Sequence, residues 1–204
     1  MKVLVLFSLL GVALSENESK PRNPNWANEE TFGVHQKAEE SFRASDEKMF
    51  HLLRLSTNNS PWSKDTTCVK VTAKETTGDA FNITVHFKKS GTPQASNSTV
   101  TLSKEYRYND TKNGFTNVRQ ANTKTAYGLM FSNYEDCSIY YGKQGDFAPA
   151  NGEGSYELWV VDGQQQKVPP CCDFMYKYLT LGMKTRDVYS NTCEDKAREE
   201  DQQQ

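Results

Sequence analysis

The sequence predicts a mainly β protein, an antiparallel barrel of about eight strands with one helix before it and one after it. Short runs of aromatic and β-branched residues alternate with polar residues from residue 67 onward, which is the pattern of half-buried strands. Glycine, asparagine and proline clusters separate these runs at roughly 8–15 residue spacing. That spacing also allows a sandwich, but a late helix outside a β meander favours the closed barrel.

The first residues have the pattern of a secretory signal peptide. Lys2 precedes an apolar run at 3–12, and small residues stand at Ala13 and Ser15. The run is shorter than the roughly 20 apolar residues of a membrane helix. We therefore predict a signal peptide at 1–15, a secreted domain at 16–193 and a disordered charged tail at 194–204.

The first helical pattern lies after residue 28. Phe32, His35, Ala38 and Phe42 recur at helical steps among charged residues, which indicates one amphipathic face. The pattern gives way to a first strand near 50–55, followed by a turn at 58–61. Further strands are predicted at 67–72, 81–87, 98–102, 115–118, 125–131, 138–141 and 155–162.

The last predicted strand carries an acid beside an indole. Glu157, Trp159 and Val161 share one face because side chains alternate along a strand. A buried carboxylate is costly unless it is paired, but next to an aromatic ring it suits a pocket for a small organic cation. A solvent-facing Glu157 beside a half-buried Trp159 is the alternative.

A second helical pattern covers 172–182, after Pro169 and Pro170, which we expect to be extended and exposed. In an oxidising compartment the five cysteines indicate disulfides, and their odd number leaves an intermolecular bridge or a free thiol. Cys171 and Cys172 should have different partners, because a disulfide between neighbours needs a strained ring.

Charge and motif content narrow the function. The net charge is −2 with both signs spread along the chain, so neither a nucleic-acid surface nor a polybasic membrane anchor is predicted. The chain lacks the spacings typical of zinc sites, nucleotide loops and hydrolase nucleophiles. We expect no metal, no cofactor and no enzymatic activity. Glycosylation sequons occur at Asn17, Asn58, Asn82, Asn97 and Asn109.

The chain resembles the tick salivary lipocalins and, among them, the histamine-binding proteins. The matching segments run in family order: Trp26-Ala27, 33–36, Pro61-Trp62, Cys68-Val69, 131–137, 156–159 and 185–189 with Cys193. The resemblance implies an eight-stranded antiparallel lipocalin barrel with an N-terminal helix near one mouth and a C-terminal helix on the wall. It also implies the disulfides Cys68–Cys193 and Cys137–Cys172. Cys171 is then spare, and we expect it to join two chains in a symmetric homodimer.

The resemblance also implies a ligand set inside the barrel. Glu157, Trp159, Trp62 and Phe115 match positions at which the family holds histamine, and Tyr127 is a near match. Other family ligand positions, which hold a tyrosine or an acid, are occupied here by Thr57, Ser60, Ser98 and Ser138. One of two family sites therefore looks eroded, unless Asp46, Glu105 or Asp136 compensates.

The expected function is that of a secreted salivary scavenger, which binds histamine or a related biogenic amine inside the barrel and suppresses the host inflammatory response. One alternative is a lipocalin for an apolar lipid mediator or a sterol. Another is a protein-binding immunomodulator that keeps the barrel as a scaffold. Two or more inward carboxylates would favour the amine, one or none the lipid, and a filled lumen the protein binder.

Overall fold

The computed structural model describes residues 23–57, 60–118, 124–144 and 154–194. The predicted signal peptide and residues 195–204 of the predicted tail lie outside the described residues. The helices are α1 Glu29–Phe32, α2 Ala38–Glu47 and α3 Pro170–Leu179, with short 3-10 turns at Gly33–His35 and Asn191–Cys193. The strands are β1 Phe50–Ser56, β2 Thr66–Glu75, β3 Ala80–Lys89, β4 Thr92–Ser103, β5 Gly114–Val118, β6 Lys124–Ser132, β7 Cys137–Gln144, β8 Ser155–Val161 and β9 Thr185–Asp187.

Strands β1 to β8 close into an antiparallel barrel. Consecutive strands pair from β2 to β8, β8 pairs with β1, and β1 pairs back with β2 through Phe50 and His51. The short β9 pairs with the C-terminal part of β1, from Arg54 to Ser56. The predicted eight-stranded antiparallel barrel with an N-terminal helix is confirmed.

Strand β8 separates two clusters of buried side chains. Trp159 and Val161 belong to the cluster inside the barrel, and Glu157 lines the same interior. Leu158 and Val160 point the other way, into a cluster between the barrel wall and α3. This is the alternation that the period of two predicts for 155–162.

Helix α2 covers one end of the barrel. Phe42 places its ring against Phe81 and Phe115, at centroid distances of 5.1 and 4.8 Å. The helical pattern is interrupted before α2 because the buried Gln36 turns its amide inward, where Nε2 donates to the carbonyls of Trp26 and Met130, both at 2.8 Å.

Helix α3 begins two residues earlier than predicted. The expectation of an extended Pro169-Pro170 segment is wrong for Pro170, which is the first residue of the helix. Proline suits that position because its fixed φ is helical and the first N–H of a helix has no partner within it. Cys172 and Tyr176 are buried against the barrel wall. No helix within the described ranges is long and apolar enough to cross a membrane.

Strand β4 also begins earlier than predicted, at Thr92 instead of residue 98. Ser90 and Gly91 both have positive φ, 49° and 82°, and join β3 to β4 as a two-residue hairpin with Lys89 opposite Thr92. The hairpin projects beyond the core, so Gln94 and Ser96 are exposed. Without a buried face, that part of the strand shows no apolar alternation.

Two disulfides join the part of the chain that follows β8 to strands of the barrel. Cys68 bonds to Cys193 and Cys137 bonds to Cys172, the pairs that the resemblance implies. The first joins residues 125 positions apart, so it encloses most of the barrel in one covalent loop. Cys171 is a free and exposed thiol.

Candidate ligand site in the barrel lumen

The barrel encloses a small, largely apolar cavity. Its volume, as space open to the centres of water molecules, is about 70 Å³. One water needs roughly 10–15 Å³ by this definition, so the cavity suits a compact molecule. Its wall consists of Ser41, Phe42, Ser45, Phe50, Trp62, Val71, Ala73, Ile83, Val85, Phe115, Asn117, Tyr127, Ser138, Tyr140, Glu157 and Trp159.

Glu157 is a fully buried carboxylate in this wall. Its Oε1 accepts a hydrogen bond from Trp62 Nε1 at 2.9 Å, and its Oε2 accepts one from Trp159 Nε1 at 3.0 Å. Because an unpaired buried carboxylate is costly, these two donors help to keep it in the lumen. They also hold both indole rings beside the acid, and both rings line the cavity.

Trp62 reaches Glu157 from the loop between β1 and β2. Ser60 Oγ accepts the Trp62 backbone N–H at 3.1 Å. Arg186 donates to the carbonyls of Ser63 and Thr66, both at 2.9 Å. Hydrogen bonds therefore hold the loop both before and after Trp62 in the chain. Ser60, where the family resemblance leads one to expect an acid, holds the loop backbone instead.

Phe115 and Tyr127 form a second aromatic surface of the cavity. Their rings stack with centroids 4.7 Å apart and planes within 10°. Tyr127 lies over Gly142, where an added Cβ would come within 2.7 Å of the tyrosine ring and 3.4 Å of Glu157 Oε1. The structure therefore brings all five ligand-set residues, Trp62, Phe115, Tyr127, Glu157 and Trp159, to one cavity.

A cluster of neutral hydroxyls, which we call the hydroxyl end, consists of Ser41, Ser138 and Tyr140, which line the lumen, and Ser132 behind them. Ser41 Oγ lies 2.8 Å from Ser138 Oγ and 2.7 Å from the Tyr140 hydroxyl, and Ser132 Oγ lies 3.0 Å from Ser138 Oγ. Burial raises the pKa of Tyr140 to about 12, although the hydrogen bonds from Ser41 and Ser138 oppose the rise. The cluster is uncharged at neutral pH.

Glu157 is the one carboxylate among the described residues that line the cavity. Asp46 is exposed, Glu105 accepts a hydrogen bond from Ser103, and Asp136 belongs to the β6–β7 turn. None of these three lies in the wall. Thr57 is exposed and donates to the Lys184 carbonyl.

Two further sequence predictions concern the outer surface. Asn82, Asn97 and Asn109 are exposed, as a glycan acceptor must be, and Asn58 lies outside the described residues. The sulfur atoms of Cys137, Cys171 and Cys172 lie within 4.8 Å of one another. Because two of them form a disulfide, this group has only one thiol to offer a metal.

The chain is similar to tick proteins over almost its whole length. A protein family described as "Tick histamine binding protein" matches residues 26–195. The "Male-specific histamine-binding salivary protein" of Rhipicephalus appendiculatus is 32% identical over 94% of this chain and 96% of its own length. The "Female-specific histamine-binding protein 1" of the same tick is 28% identical over 90% and 95%.

Solved structures share the fold at lower identity. The serotonin complex of AM182 superposes with a TM-score of 0.55 at 18% identity, covering 77% of this chain and 92% of its own. Japanin from Rhipicephalus appendiculatus, bound to cholesterol, gives 0.52 at 14% identity, with 74% and 97% covered. Within one fold, then, the bound ligands include an amine and a sterol.

Proposed function

Because this chain belongs to the family of tick histamine-binding proteins, we propose that it is a secreted salivary lipocalin that binds histamine or a related biogenic amine in its lumen. It would act as a scavenger, holding the amine without chemical change and suppressing the host inflammatory response at a feeding site. The effect of such a protein depends on its affinity for the amine and on the amount of protein that is secreted.

The observation that carries this proposal is the Glu157 carboxylate in an otherwise apolar cavity. An aliphatic ammonium pairs with a carboxylate through charge-assisted hydrogen bonds, and aromatic faces attract the same cation. Trp62 and Trp159 border the acid, and the Phe115–Tyr127 pair offers a flat surface for the ring of the ligand.

A lipid is the second candidate, and the count of charges favours it. One inward carboxylate is the number expected for a lipid carrier, and most of the cavity wall is apolar. The volume opposes it, since about 70 Å³ of water-centre space corresponds to roughly five to seven waters, well short of a sterol. An open cavity also speaks against a barrel that serves only as a scaffold for protein binding.

Substitution of Glu157 tests the amine. Glu157→Gln keeps the size of the side chain and removes its charge, so the histamine affinity should fall by about 1.5–3 kcal/mol, the contribution of a charge-assisted hydrogen bond. The exposed acid Glu135 offers the matched control Glu135→Gln, which should bind like the wild type. Unchanged histamine binding in Glu157→Gln would refute the proposed site.

A native mass spectrum of the protein purified from its own source separates amine from lipid, because it reports the mass of the bound molecule. Calorimetry should give about one histamine per chain, since one acid lines the lumen. A ratio of two would mean that a second acid takes part.

The spare thiol supports a disulfide-linked homodimer as the form in which the scavenger circulates. Cys171, Phe174, Tyr178 and Leu181 recur at steps of three and four along and beyond α3, which places them on one side. Phe174 and Tyr178 are each 66% exposed and Leu181 is 83% exposed. In a two-fold pair each copy would bury this apolar stripe against the other and bring the two Cys171 thiols together.

Non-reducing electrophoresis tests the dimer. The wild type should run near twice its reduced mass, and Cys171→Ser should run as a monomer. A wild-type monomer would rule out the bridge. Because Cys171 lies within 4.8 Å of the Cys137–Cys172 sulfurs, peptide mapping under non-reducing conditions should accompany it, to detect exchange to a Cys137–Cys171 pair within the chain.

A further inference from the structure

Asn117 places an unpartnered amide oxygen at the ligand cavity. The residue lies on β5, opposite Val100 of β4 and Thr125 of β6, and it lines the lumen. It is only 5% exposed, and its Oδ1 has no hydrogen-bond partner among the described residues. A buried amide oxygen without a donor is unfavourable, because it has lost its water and gained nothing in return.

The position of Asn117 distinguishes it from the other buried polar atoms that lack a partner. Those atoms belong to Asn113, Ser155 and Tyr176, and none of these three residues lines the lumen. Asn117 also borders a wider outer cleft, which shares Trp62, Val85 and Asn117 with the lumen. The amide therefore stands where the cavity meets this outer cleft.

We propose that Asn117 is a specificity-determining residue, whose Oδ1 accepts a hydrogen bond from a hydroxyl group on the ring of an aromatic monoamine. The inference rests on the proposed amine function, with the ammonium at Glu157. A ligand with a ring hydroxyl at this place satisfies the oxygen, whereas its counterpart without that hydroxyl leaves the oxygen buried and unpaired. Discrimination follows because an unmade buried hydrogen bond costs more than a made one contributes.

Serotonin and tryptamine form a suitable pair of probes, because they differ only in one ring hydroxyl. The wild type should bind serotonin about three- to tenfold more tightly than tryptamine, the range for one neutral hydrogen bond. Asn117→Leu removes the amide at similar size and should abolish this preference while changing the tryptamine affinity by less than about twofold. Asn113→Leu removes a buried amide outside the lumen and should keep the preference.

Asn117→Asp gives a second, independent measurement, since it keeps an acceptor oxygen in the same place. This variant should retain the preference for serotonin. An equal loss of affinity for both amines in Asn117→Leu would mean a merely structural role, and an unchanged preference would mean no contact; either result overturns the inference, as does loss of the preference in Asn117→Asp. Suppose that both amines bind the wild type with equal affinity and that both bind Glu157→Gln more weakly to the same degree. In that case only the Asn117 inference fails. If neither binds, the amine proposal fails with it.

Discussion

The two ends of the lumen differ in charge although the same strands build both. The two groups of side chains adjoin, because Tyr140 of the hydroxyl end lies opposite Glu157 in the pairing of β7 with β8. Helix α2, with Ser41, precedes β1, and the loop with Trp62 follows it. The Trp62 end holds Glu157 and its two indole donors. We call it the acidic end. Among the described lining residues, the α2 end holds the hydroxyl cluster and apolar side chains but no carboxylate.

This difference in charge indicates which end of the lumen can bind a cation. At the hydroxyl end, Ser41, Ser138 and Tyr140 satisfy one another, so an incoming ammonium would have to break these bonds and would find no carboxylate within the cluster itself. At the acidic end, the carboxylate can add a charge-assisted bond to those it already accepts, because an ionised carboxylate has about four acceptor positions. The acidic end is therefore where we expect the single amine.

The largest expected effect comes from making the two ends alike. Ser138→Asp places a second carboxylate at the hydroxyl end, where Ser41, Ser132 and Tyr140 can donate to it. Calorimetry should then give two histamines per chain instead of one. Without histamine the variant should melt at a lower temperature, because the buried charge lacks a cation, and histamine should restore part of the loss.

Ser138→Asn serves as the matched control, having nearly the same size and no charge. It should still bind one histamine. A second site in the asparagine variant would show that room, and not charge, distinguishes the two ends.

A smaller effect should follow from crowding the acidic end. A methyl group at Gly142 would press on the Tyr127 ring and approach Glu157, so Gly142→Ala should weaken histamine binding roughly tenfold and destabilise the fold by about 1–3 kcal/mol. Gly154→Ala is the control, because its methyl group would overlap the ring of Tyr141, which belongs to the outer cluster. It should cost similar stability with little change in histamine affinity. Equal losses of affinity would mean that the two glycines affect binding only through the fold.

The smallest effect is expected at the hydroxyl end itself. Ser41→Ala removes the hydroxyl that contacts both Ser138 and Tyr140, so the free energy of unfolding should fall by about 1 kcal/mol in urea denaturation. Histamine affinity should stay within about twofold. Ser45→Ala removes a hydroxyl that donates to the α2 backbone carbonyl of Ser41, and it should change less. A loss of affinity like that of Glu157→Gln would place the hydroxyl end in the ligand site.

The sequence predicts an element wherever one face of that element is buried. In β8 the alternation predicts that Glu157 and Trp159 share a face, and both line the cavity. Residues 94–97 of β4 lack this signal because the hairpin leaves the core, and β9 is only three residues long. The sequence pattern does not predict the start of α3 for a different reason. In the sequence alone, a proline at the first helical position looks like a helix breaker.

The candidate site was predictable only in part. Glu157 and Trp159 are two residues apart, so a local rule places them together. Trp62 and Glu157 are 95 positions apart, and only the family resemblance joined them before the fold was known. The contact between Ser41 and Ser138 spans 97 positions and depends on how α2 sits against β7. The unpartnered oxygen of Asn117 is a property of its surroundings, which no local pattern of residues records.

The two indoles that hold Glu157 also give the protein a built-in optical signal. The chain has three tryptophans: Trp62 and Trp159 donate to the buried acid, whereas Trp26 packs outside the lumen against Tyr106 and Tyr141. A molecule entering the cavity alters the polarity around the first two and leaves the third as a constant background. Intrinsic fluorescence can therefore follow the filling and emptying of the barrel in real time, with no label attached to either partner.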